Sequence, residues 1–109
     1  MPTAPEDVRL HASDPAVAKA VAEPVLLALG ARAGFDIERL DEFAIALDIA
    51  IGLAVPGPVR ADLRRTGGRL SVTVSPVAPD RLRGRRTLLA ELTAGVAEDG
   101  DAIALTLDA

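Results

Sequence analysis

The longest regular pattern of apolar positions lies between Ile37 and Val55, reading IERLDEFAIALDIAIGLAV. Leu40, Phe43, Ala44, Leu47, Ala50, Ile51 and Ala54 recur at steps of three and four, the spacing of one helical face. A second apolar line, Ile45, Ile49 and Leu53, steps by four along the flank of the same helix. Charges gather in its first turns, at Glu38, Arg39, Asp41 and Glu42, with one late acid, Asp48. Asp36 stands at the N-cap position, and acids in a first turn suit the helix dipole. A helix that is apolar on more than one side must be covered on more than one side, so this segment is predicted to be a central core helix.

Around it the pattern changes period. After a polar lead, residues 1–6, expected to fray, Val8, Leu10 and Ala12 alternate with Arg9, His11 and Ser13 and predict a half-buried strand. Asp14 followed by Pro15 marks a helix start, and Gly34 marks its stop near Ala33. Val17, Val21, Val25 or Leu26, and Leu29 are the expected core face of this helix, and Pro24 is expected to kink or divide it. The segment PGP at 56–58 breaks the central helix. Val59, Ala61 and Leu63, then Leu70, Val72 and Val74, predict two strands joined by a tight turn at Thr66, Gly67 and Gly68. Residues 76–86 (PVAPDRLRGRR) read as a loop. A third helix is expected from Arg85 to Val96, with Leu88, Leu89, Leu92 and Val96 on one side. A turn at 98–101 and a strand through Ile103, Leu105 and Leu107 complete the chain.

The expected order is strand, helix, helix, strand, strand, helix, strand. Each strand has one apolar and one polar face, so helices are expected on one face only. The fold class is therefore α/β: a two-layer sandwich, with a mixed or antiparallel four-strand sheet covered on one face by three helices. At 109 residues one domain is expected over 1–109, with a single core.

Composition narrows the function classes. Half of the residues are apolar but only 2% are aromatic, so the core is built from Leu, Val, Ile and Ala. There is no cysteine, which removes disulfides and thiolate metal sites. His11, the one histidine, has no second soft ligand with which to share a metal and reads as a solvent-facing strand residue. A net charge of -4 argues against nucleic-acid binding, which needs a basic surface. The N-terminus shows no basic segment leading into an apolar run, and Asp48 interrupts the most apolar helix. No leader and no membrane span are expected, and the default is a soluble cytoplasmic protein.

The order of elements, the phrase GFDIERLDEFAIALDIA and the tail GRRTLLAELTAGVAEDGDAIALTL resemble the histidine-kinase-like ATPase domain of bacterial anti-sigma factors. These serine kinases hold sigma factors and phosphorylate their antagonists. The resemblance extends from Val8 to Leu107 and implies the fold derived above. In that family the central helix reads roughly L-x-D-x-x-L-A-L-D-E-A-x-x-N. Its glutamate orients the attacking group, and its asparagine, about one turn on, chelates magnesium on the nucleotide.

Here Ala46, Leu47 and Asp48 match the lead-in, but Ile49 stands at the glutamate position and Leu53 at the asparagine position. Neither side chain accepts a proton or offers oxygen to a hard cation. Asp48 is no substitute, since one residue turns about 100° around the helix axis. The glycine boxes are reduced as well: only Asp80 and Gly84 remain near the positions that read adenine and cradle phosphate, where backbone NH groups need glycine to approach.

The resemblance therefore implies a retained scaffold without ATP chemistry, no cofactor and no catalytic residue. Its role would be a non-catalytic regulator of bacterial transcription that acts by binding a sigma factor or an anti-sigma-factor antagonist. It also implies pairing of two copies through the first strand and helix. The competing expectation is a divergent nucleotide-binding serine kinase of the same fold, using Asp48 or Asp80 in altered geometry. Two further alternatives stand open. Ile45, Ile49 and Leu53 either fill a vestigial pocket or line an exposed groove that receives a partner. Arg81, Arg83, Arg85 and Arg86 form either a solvated loop or a recognition patch for an acidic partner. Arg9, Arg60, Arg64 and Arg69 are expected on the wet face of the sheet.

Overall fold

The computed structural model describes residues 5–108. The alternating segments pair as one antiparallel sheet: β1 (Glu6–Ala12), β2 (Val59–Thr66), β3 (Arg69–Ser75), β4 (Gly95–Asp99) and β5 (Ala102–Asp108), in the spatial order β1-β2-β3-β5-β4. The register sets Val8 beside Leu63, Leu63 beside Val72, Val72 beside Leu105 and Leu105 beside Val96. A single apolar row thus crosses all five strands. A slip of one residue would turn any of these side chains to the other face, so the sequence alternation itself pins the register.

Four helices complete the fold: α1 (Pro15–Ala33), α2 (Ile37–Gly52), α3 (Pro79–Arg83) and α4 (Arg86–Leu92). The caps are those the sequence indicates. The Asp14 carboxylate accepts from the Val17 amide at 3.0 Å, and that of Asp36 from the Arg39 amide at 2.9 Å. Gly34, at φ 89, lets the chain turn, and the Phe35 amide reaches back to the Gly30 carbonyl at 3.2 Å. Every residue of the α2 stripe, from Leu40 to Ala54, is buried. On the other face of the sheet Arg9, Arg60, Arg64 and Arg69 are exposed, as expected.

The α/β class therefore holds, with five strands and four helices in place of four and three. The extra strand comes from the far end of the expected third helix. That helix stops at Leu92, Thr93 takes extended dihedrals, and its hydroxyl donates to the Leu89 carbonyl at 2.8 Å. Val96 then belongs to β4, because β5 would otherwise expose an edge of unpaired amides and carbonyls. Gly95 permits the pairing: a Cβ there would lie 2.9 Å from the Thr106 hydroxyl oxygen.

The extra helix, α3, lies within the segment read as a loop. The central helix ends at Gly52 instead of Val55; Ala54 bridges Val77, the Val55 amide donates to the Pro76 carbonyl, and the Ala78 amide to that of Leu53. Helix α1 runs through Pro24 without division. Pro24 and Ala20, whose carbonyl Pro24 cannot serve, are both on the exposed side of the helix. The core face of α1 is also corrected. Ala18, Ala22, Leu26 and Leu29 are buried, whereas Val17 and Val21 are 43% and 45% exposed. Of the expected frayed lead, residues 1–4 lie outside the described residues and Glu6 already belongs to β1.

Among the described residues one charged side chain is buried in the core layer. Arg65, 1% exposed, succeeds Val59, Ala61 and Leu63 on the inward face of β2. Its Nε donates to Glu6 at 2.8 Å, directly across the β1–β2 ladder, and Arg32 from the last turn of α1 reaches the same carboxylate at 3.0 Å. Arg65 and then Arg32 hold the Glu6 carboxyl below the usual carboxylate range.

This packing makes two outcomes testable. A depressed folded-state pKa gives stability that is present above the unfolded value and lost as pH falls through the folded one. Glu6→Gln should therefore unfold at lower denaturant than the parent at pH 7, and the gap should close as the pH drops below about 4.3. At Gly30 an added Cβ would lie 2.1 Å from Leu40 Cδ2 and 3.1 Å from its Cγ. Gly30→Ala should lower stability by about 1 kcal/mol, since overpacking of about 1–3 outweighs a helix-propensity gain of about 1. Measured in a Leu40→Ala background, the same substitution should change sign.

Candidate functional site

The second apolar line of α2 does not enter the core as a unit. Ile45 is 51% exposed, Ile49 is half-buried and Leu53 is buried, so the line descends from the surface inward over two turns. Beside it lies an open groove of about 760 Å³. Its walls come from α1 through Lys19, from α2 through Asp48 and Gly52, and from the α3 segment through Asp80, Arg81, Gly84 and Arg85. Both alternatives for the apolar line are thus realised at different depths: Leu53 fills space, and Ile45 and Ile49 line a groove.

The groove exists because α3 is held over the end of α2 by few contacts. The Leu53 and Ala54 backbone grips residues 77 and 78, and Val77 donates its amide to the Asp101 carbonyl at 2.7 Å. Pro79 then starts a helix of five residues whose one buried side chain is Leu82. So short a helix covers Leu53 and leaves the earlier turns of α2 uncovered.

The four loop arginines separate. Arg81 and Arg85 line the groove. Arg83 pairs with Asp80 at 2.8 Å in solvent, and Arg86 pairs with Glu98 of β4; neither lines the groove. Asp48 and Asp80, the two acids singled out in the sequence, both line the groove, as does Gly84. Gly84 has a right-handed φ of −74, so it makes no use of the freedom a phosphate loop requires. Asp48 Oδ1 is shielded from solvent and takes no hydrogen bond among the described residues. Neighbouring amides are already committed: those of Arg81 and Leu82 to the Ala78 carbonyl, and that of Arg85 to the Leu82 carbonyl.

Lys19 is the groove residue that strand and helix patterning passed over. Its ammonium lies 3.7 Å from the place a Cβ on Gly52 would occupy. Only the packing of α1 across the C-terminal half of α2 reveals it, since the two positions are far apart in sequence. Among the described residues no group of three or more His, Cys, Asp or Glu side chains is placed to hold a metal ion, and no helix is long and apolar enough to cross a membrane.

No protein-family model matches the chain, and no curated protein matches it.

Gly52 tests how the groove trades against stability. Its backbone is not left-handed and a Cβ would make only ordinary contact. Gly52→Ala should raise the unfolding free energy by about 0.5 kcal/mol in urea titrations, through the helix end and the less flexible unfolded chain.

Proposed function

We propose that the protein is a non-catalytic regulatory domain of the anti-sigma type, which acts in the cytoplasm by binding a sigma factor or an anti-sigma-factor antagonist. One observation carries the reading. Ile49 and Leu53, at the positions where the resemblance implies a glutamate and an asparagine, belong to an apolar line that borders an open groove. An aliphatic floor neither activates a nucleophile nor chelates magnesium, but it is what a docking surface requires. The order strand, helix ending at glycine, and apolar second helix agrees with the scaffold that the resemblance implies. β1, at an open edge of the sheet, is where the resemblance has two copies meet.

The second reading, a divergent nucleotide-binding serine kinase, draws on Asp48 and Asp80 lining the same groove. It requires magnesium-dependent ATP binding that is lost on Asp80→Ala.

The two readings separate in one set of titrations. The unfolding temperature should be unchanged by millimolar ATP with magnesium, because a ligand that does not bind adds nothing to stability. Purified sigma factors and antagonists of the source organism should include one that co-elutes with the chain. A thermal shift with ATP, or no complex with any of these proteins, would overturn the proposal.

A further inference from the structure

We infer that the groove seats an acidic amphipathic helix of a partner protein, its apolar stripe on Ile45 and Ile49 and its carboxylates toward Lys19, Arg81 and Arg85. This names the partner's binding segment and rests on the protein-binding reading above.

Shape is the first argument. From Ile45 to Ile49 the accessible floor runs about 6 Å along α2 at the helical rise of about 1.5 Å per residue, and buried Leu53 closes its inner end. A partner helix lays anchors at i, i+4 and i+7 along such a line.

Charge is the second. The side chains of Lys19, Arg81 and Arg85 make no hydrogen bond or ion pair among the described residues, whereas those of the adjacent Arg83 and Arg86 are both paired. Three cations thus line one groove against two carboxylates, Asp48 and the Arg83-paired Asp80, which leaves the lining net positive in a chain whose net charge is -4. That is a local field which selects an acidic partner.

The third argument sets aside a small phosphate ligand. The backbone amides of Arg81, Leu82 and Arg85 are spent on carbonyls of their own segment, so no nest of free NH groups is left to cradle one. The Asp48 carboxylate lines the groove without a hydrogen bond among the described residues and is the acceptor for one donor side chain between the partner's apolar positions.

The test uses the full chain and fluorescein-labelled synthetic helices of about 16 residues, long enough to hold helical structure. One carries leucines at i, i+4 and i+7, glutamates on both flanks and a single glutamine; its twin has lysine for every glutamate. By fluorescence anisotropy the acidic peptide should bind about tenfold or more tightly than the lysine twin, and the paired substitutions Arg81→Glu and Arg85→Glu should reverse that order. Ile45→Glu, at a position half exposed to solvent, should weaken the acidic peptide about tenfold while circular dichroism stays unchanged. Asp48→Ala should weaken it about threefold to tenfold.

Equal affinity for the two peptides, no binding of either, or a charge preference that survives Arg81→Glu and Arg85→Glu would overturn the inference. Displacement of the acidic peptide by magnesium-ATP would do the same and assign the groove to nucleotide. A sigma factor or antagonist whose binding survives Ile45→Glu keeps the regulatory reading and removes the seat. Peptide recognition with the expected charge order, in a chain that binds neither protein, keeps the seat and removes the regulatory reading.

Discussion

The architecture depends on covering α2. Its main stripe is buried against the sheet and its sides meet α1 and α4. Phe43, Leu47 and Ile51 have no exposed surface, and each contributes about 1.5–3 kcal/mol through burial. The small residues of α1 serve the same end. Ala18, Ala22 and Gly30 let it approach closely, and at Gly30 the missing Cβ is the space that Leu40 occupies. With only two aromatic side chains in the whole sequence, volume has to come from many aliphatic contacts at close range, and close range demands glycine and alanine.

The edges of the sheet are managed by charge. Each edge strand carries an acid on its helix-facing side, Glu6 on β1 and Glu98 on β4, and each is met by an arginine from the helical layer, Arg32 and Arg86. Inward-pointing charges at sheet edges limit non-specific strand addition there. The same pairs tie the helices to the rim of the sheet. Most of these pairs are solvent-exposed and contribute modestly. Glu6 differs, because it also satisfies the buried Arg65 and so joins β1, β2 and α1 at one carboxylate.

Period and capping alone made much of the fold legible in the sequence: the α2 stripe, both aspartate caps, the Gly34 stop, the hairpin at Gly67 and the one-sided sheet. Of the features that escaped, three have separate physical reasons. The segment GVAED has a single apolar side chain on its inner face, and Leu88, Leu89, Leu92 and Val96 happen to continue in helical phase. What makes it a strand is the unpaired edge of β5, a tertiary demand. On α1 Leu26 and Leu29 are buried as expected, but in its first half hydrophobicity points to Val17 and Val21, whereas close packing on the sheet selects Ala18 and Ala22. Arg65 breaks the rule that strand interiors are apolar, and only its partner across the ladder makes the position tolerable. At the site, the α2 residues and Arg81 and Arg85 could be named in advance, but Lys19 required knowing how two helices cross.

Departures from local rules are most informative where they coincide. Ile45 leaves a large aliphatic side chain half in water, and Asp48, less than one turn further along, takes no hydrogen bond from the described residues. Either alone is ordinary for a surface helix. Both border the same groove as three cations that make no ion pair among the described residues, while the remaining apolar line passes inward to Leu53 and packs well. A chain shaped only for stability would extend α3 over Ile45 and pair Asp48 with one of the nearby cations. Here α3 stops at five residues and the charges stay apart, so two separate stabilising opportunities are left unused at one place. Such clustering of unsatisfied surface is the physical signature expected where a fold is completed by another molecule.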